Sequence, residues 1–122
     1  MVLNGGDANW IMVGPRVEVY AGWRRGVRIP TAAFRLERPQ PKCLAAAGDH
    51  LFVGYYSTNA IDMFELKTGQ RVLTMTGKDG VDVGNDVDSM YGLRAWRRQD
   101  GSYVVTKDDY NYCKVVVYEV RP

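Results

Sequence analysis

Four carboxylates and an asparagine, Asp79, Asp82, Asn85, Asp86 and Asp88, fall within ten residues, spaced by Gly80 and Gly84. Oxygen donors at that density suit a hard cation such as Ca²⁺, which takes six to eight oxygen ligands. Asp82, Asn85, Asp86 and Asp88 are the candidate ligands. The spacing is not that of an EF-hand, because the glutamate at the twelfth position is missing. The same composition also makes turns without any metal, since Asp, Asn and Gly all favour them.

The stretch Lys107-Asp108-Asp109-Tyr110-Asn111-Tyr112 pairs two carboxylates, a combination that raises one pKa for acid–base work when both share a pocket. On a strand, however, adjacent acids point to opposite faces. They read instead as a hairpin tip exposed to water. His50 is the only histidine, so no histidine metal cluster can form, and its place beside Asp49 at a turn predicts exposure. Ser57 and Ser102 lack a Gly-x-Ser-x-Gly context, and there is neither a Gly-x-Gly-x-x-Gly nor a P-loop. No catalytic residue is therefore assigned. Trp23-Arg24-Arg25-Gly26 and Arg94-Ala95-Trp96-Arg97-Arg98 interleave indole and guanidinium groups. Trp23, Trp96 and Arg97 are the candidate ligand-binding residues, because such groups stack on sugars or bases; the alternative is tryptophan packing between sheets.

The elements that must position these residues are strands. Val17-Glu18-Val19-Tyr20, Ile61-Asp62-Met63-Phe64 and Val115-Val116-Val117-Tyr118 repeat one apolar-to-aromatic pattern at offsets of 44 and 54 residues. Strand-and-turn units of about 40–50 residues are the signature of propeller blades. Gly48-Asp49 and Asp100-Gly101 join two apolar runs each, as hairpins require. Ala45-Ala46-Ala47 has helix propensity, but Gly48 stops it and it aligns with a strand in the third unit. No window of twelve residues sustains a helical period.

The expectation is an all-β, propeller-like single domain over residues 1–122, with units at about 9–37, 43–76 and 88–120. These units supply roughly ten strands grouped three, four and three. The first is short of an innermost strand and the third of an outer one. Three blades leave the ring incomplete within one chain, since closure takes about four to eight.

Net charge is +2, which does not imply a polyanion, so no nucleic-acid partner is expected. Residues 1–42 carry +4 and the remainder −2, a split that suits head-to-tail self-association or ordinary solvated surface. Cys43 and Cys113 fall on different blades and strand positions, which predicts free thiols rather than a disulfide. Neither a signal peptide nor a run of about 20 apolar residues is present, so a cytoplasmic location without a membrane partner is expected.

With the repeat in place, the chain resembles the C-terminal half of a bacterial six-bladed β-propeller of the NHL-like or lactonase-like type. Arg16-Val17-Glu18-Val19-Tyr20 with Gly22-Trp23 resembles a blade ending that leads into a glycine-rich outer turn. Ala47 to Gly54 with Ile61-Asp62-Met63-Phe64 and Thr68-Gly69 resembles a whole blade. Asp88, Tyr91 to Ala95, Asp100 to Val105 and Val117 to Pro122 resemble a terminal one. The resemblance implies a channel-facing cation at the start of the innermost strands, where Asp88 with Asn85 or Asp86 would match.

The functional expectation is a non-catalytic half-propeller scaffold that self-associates into a homodimer or other closed homo-oligomer, with no cofactor required. One alternative is a Ca²⁺-dependent lactone or ester hydrolase with its site shared between chains. Another is a carbohydrate-binding propeller using Trp23 or Trp96. Turnover of aryl esters or lactones with Ca²⁺ separates the hydrolase from the scaffold, and tryptophan fluorescence across a glycan panel separates the sugar binder.

Overall fold

A computed structural model describes residues 2–5, 8–38, 41–55, 60–75, 90–109 and 114–122. These residues form three antiparallel sheets, each a meander of consecutive strands. The N-terminal sheet holds β1 (Val2–Gly5), β2 (Ala8–Val13), β3 (Arg16–Ala21) and β4 (Ala32–Arg35). The middle sheet holds β5 (Pro41–Ala47), β6 (His50–Tyr55), β7 (Ile61–Glu65) and β8 (Arg71–Met75). The C-terminal sheet holds β9 (Met90–Arg97), β10 (Tyr103–Asp109) and β11 (Lys114–Val120). The only helical element described is a three-residue 3-10 turn at Trp23–Arg25.

The grouping is four, four and three rather than the expected three, four and three. Val2–Gly5 is the additional strand, paired along its length with β2 from Val2↔Ile11 to Gly5↔Ala8. Val-Leu-Asn-Gly has no two-residue alternation of its own, so its pairing comes from β2 rather than from its pattern. The alanine run is a strand, as expected, because Ala45 is buried where β5 meets the C-terminal sheet and a small side chain fits there.

Alternation decides the layering. From the middle sheet, Cys43, Ala45, Phe52, Ile61, Met63 and Met75 pack with Leu93, Tyr103, Val105 and Val120 of the C-terminal sheet. The intervening residues Leu44, Leu51, Val53, Tyr55 and Phe64 pack on the other side with Val17 and Leu36. The middle sheet is therefore apolar on both faces, each fully buried large side chain contributing about 1.5–3 kcal/mol. Aromatic pairs cross both junctions: Phe34 to Phe64 at 5.4 Å and Phe52 to Tyr103 at 5.5 Å between centroids. The leading strands lie side by side on one edge of the stack, β5 touching both β1 and β9.

The three sequence repeats occupy one structural position. Val17, Ile61 and Met63 are fully buried, each pointing toward the sheet that follows in the chain. Their counterparts Val115 and Val117 are 59% and 64% exposed. The partners of these residues across β10 and β9 are Asp108, Thr106 and Arg94, and that face points away from the middle sheet.

Candidate functional site

A carboxylate in the middle of an apolar strand is the most consequential polar group described. Asp62 sits in β7 between Ile61 and Met63 and is completely buried, turned toward the N-terminal sheet. Its Oδ2 accepts hydrogen bonds from Arg38 Nε at 3.0 Å and from the Tyr55 hydroxyl at 2.8 Å. Oδ1 accepts from the Thr74 hydroxyl at 2.6 Å, with Arg71 Nη1 at 3.9 Å. Arg71 also pairs with Glu37 at 3.1 Å. Three strands and the link that follows β4 thus converge on one acid. Burial, with the Asp62 hydrogen bond second, pushes the Tyr55 phenol far above its ordinary range.

Chemically this cluster is a junction, not a reaction centre. Both oxygens of Asp62 are engaged, and three donors hold them between packed sheets. Burying a carboxylate is tolerable only with such compensation. In the sequence, Ile61-Asp62-Met63-Phe64 marks the repeat, and Asp62 is not among the candidate site residues. The available signal was an aspartate where apolar residues alternate on both sides.

A second polar contact lies at the middle-to-C-terminal junction. Nδ1 of His50 is 2.6 Å from the Tyr103 hydroxyl, and the rings meet edge to face at 5.1 Å. His50 is half-buried rather than exposed at its turn, because Tyr103 from the next sheet covers it. Burial pushes its imidazole below the ordinary value; Asp49 and Glu65 oppose that, and Arg97 reinforces it. An open hollow of about 420 Å³ lies nearby, lined by Asp49, Glu65, Leu66 and Lys67.

The candidate ligand-binding residues do not converge. Arg28 stacks over the Trp23 ring at 3.8 Å, and Tyr20 meets it edge-on at 5.6 Å, so the indole is already engaged within the N-terminal sheet. Trp96 is half exposed in β9, in the C-terminal sheet. Arg97 follows it and turns to the opposite face, over Gly48. Arg94, two residues before Trp96, shares its face instead. An open groove of about 290 Å³ runs between β5 and β9, lined by Leu44 to Ala46 and by Leu93 to Trp96.

Neither a known family model nor a curated protein matches this chain.

The proposed cation ligands Asp82, Asn85, Asp86 and Asp88 lie outside the described residues. Among the described residues, no three His, Cys, Asp or Glu side chains are grouped to hold a metal ion. Lys107, Asp108 and Asp109 lie in β10, paired with β11, rather than at an exposed hairpin tip; Asp108 is exposed and lies against Gly92, while Lys107 is buried. Cys43 is a free, buried thiol whose pKa burial raises to about 11; Cys113 lies outside the described residues. No helix among the described residues is long and apolar enough to cross a membrane.

Proposed function

We propose that the chain is a non-catalytic interaction scaffold, a propeller-like half-ring that associates with copies of itself through its end sheets. One observation carries this reading. Val115 and Val117 stand 59% and 64% exposed at positions whose counterparts Ile61 and Met63 are fully buried by the next sheet. An apolar pair repeated at a sheet-covered position favours coverage by another sheet. The side-by-side leading strands β1, β5 and β9 support the radial arrangement that a half-ring needs. The titratable groups gathered at the junctions are engaged in holding sheets together, as Asp62 and His50 illustrate.

Size-exclusion chromatography with light scattering tests the reading across a range of concentrations. A species of twice the 13.8 kDa chain mass is expected. A monomer at every concentration overturns it.

A second reading rests on Trp96 and Arg94 at the rim of the β5–β9 groove. A half-exposed indole beside a guanidinium suits stacking on a sugar ring. Fluorescence that is unchanged across a glycan panel, in the intact chain and in Trp96→Phe alike, overturns it.

A further inference from the structure

We propose that the outward face of the C-terminal sheet packs against the outward face of the N-terminal sheet of a second copy, so that a two-fold pair makes this junction twice. The inference rests on the self-association proposed above and adds which faces meet.

Within the chain, both junctions are built from the same two halves. The advancing half consists of alternate residues of a sheet's third strand: Val17 and Val19 of β3, then Ile61 and Met63 of β7. The receiving half consists of the residues between them on the next sheet, Asp62 and Phe64 of β7, then Val116 and Tyr118 of β11. Phe64 lies in the cluster shared with Val17, and Tyr118 packs on the cluster shared with Ile61 and Met63.

Each half recurs once more at an end of the stack. Val115 and Val117 form an advancing half, and Trp96 with Val104 extends that face across β9 and β10. At the other end Glu18 takes the place of Asp62, and Tyr20 that of Phe64. Ile11 and Val13 of β2 complete this receiving face, Val13 being 38% exposed. Two advancing faces set against each other would leave the receiving faces of both copies open. Advancing against receiving covers all four.

Two quantities favour a second copy as the occupant. Three strands of about seven residues, at about 4.8 Å spacing and 3.4 Å rise, give a face of about 340 Å². Two junctions per pair then remove about 1,400 Å² in total, within the range of roughly 1,200–2,000 Å² for specific interfaces. The charge on the receiving face is also prepared for burial. Glu18 accepts from Arg16 at 2.8 and 3.0 Å and from the Tyr20 hydroxyl at 2.6 Å, all within its own sheet. A carboxylate that brings its own partners is covered at lower cost than a bare one. Two junctions related by a two-fold axis close the assembly, whereas repetition in one direction would leave it open.

Complementation between two exposed-residue variants tests the pairing. Val117→Asp spoils only the advancing face, and Val13→Asp only the receiving face. Each variant alone is expected to lose the dimer, with its dissociation constant raised at least tenfold, while its circular dichroism stays that of the intact chain. An equimolar mixture is expected to recover a heterodimer, because one junction then has both faces intact. The proposal is overturned if the intact chain dimerises but the mixture stays monomeric, or if Val13→Asp alone remains dimeric. The second result points to contact between two advancing faces. An open series of larger assemblies overturns the two-fold closure. A monomeric intact chain overturns the self-association itself.

Discussion

Arg38 donates through Nε to Oδ2 of Asp62 at 3.0 Å, across the junction between the N-terminal and middle sheets. Arg38 follows β4, and Asp62 lies 24 residues later in β7. The link between two sheets is thereby tied to the core of the second. Arg38 is 34% exposed at its side chain and Asp62 is 0%, so water reaches one partner and not the other.

That asymmetry sets the expected stabilities. Arg38→Ala leaves the buried carboxylate with hydroxyl donors and distant Arg71, at a cost of about 2–3 kcal/mol; a fully buried pair costs about 3–5. Tyr55→Phe removes one donor and costs about 1–2 kcal/mol. Urea unfolding of the single and double variants measures both, and a coupling energy near zero would show that the two donors act independently.

Stability is expected to be flat from pH 6.5 to about 8, above which the raised Cys43 thiol counts against the fold, and to fall below pH 6.5. The imidazole of His50 is held below its ordinary 6.5, chiefly by burial. In that window the unfolded chain binds the proton and the folded one does not, so acid favours unfolding. The loss is complete once pH has dropped through the folded value. Glu18, held down by its Tyr20 and Arg16 bonds, and Asp100, held down by Ser102, act only at lower pH, below their ordinary 4.5 and 3.8. Thermal melts of His50→Gln between pH 5 and 7 should be flatter than those of the intact chain.

The Cys43 thiol should be inert in the folded chain. Its pKa of about 11 leaves almost no thiolate at pH 8, and the side chain is buried. In a Cys113→Ser background, a disulfide reagent is expected to react only after denaturant is added. Fast labelling of the native chain would contradict this packing.

Two glycines separate backbone strain from crowding. Gly48 has φ +53°, and a Cβ there would lie 2.5 Å from Arg97 Cδ and 2.8 Å from the Tyr103 hydroxyl. Gly101 has φ +87° with open space around it. Gly101→Ala should cost about 1 kcal/mol, the backbone term alone. Gly48→Ala should cost at least about 1 kcal/mol more, because Tyr103 is pinned between sheets and cannot yield as Arg97 can. Equal losses would mean that the His50–Tyr103 contact rearranges freely.

The strand content was legible because alternation and turn chemistry agree along most of the chain. Val17, Ile61 and Val115 mark third strands in all three sheets, and Gly48 and Gly101 sit at hairpins. Val2–Gly5 was not legible, since its order is imposed by β2 rather than by its own residues. The polar contacts were legible least. Asp62 depends on Arg38, and His50 depends on Tyr103, which lies 53 positions away. Local pattern carries no record of a partner that only the stacking of sheets brings near.

The middle sheet, apolar on both faces, also has a kinetic consequence. Its amides open only when both neighbours have separated, whereas those of an end sheet need lose one neighbour. Deuterium should therefore enter β6 and β7 last. If the ring forms, protection in β3 and β11 should rise toward theirs, making exchange at the ends a direct reading of assembly.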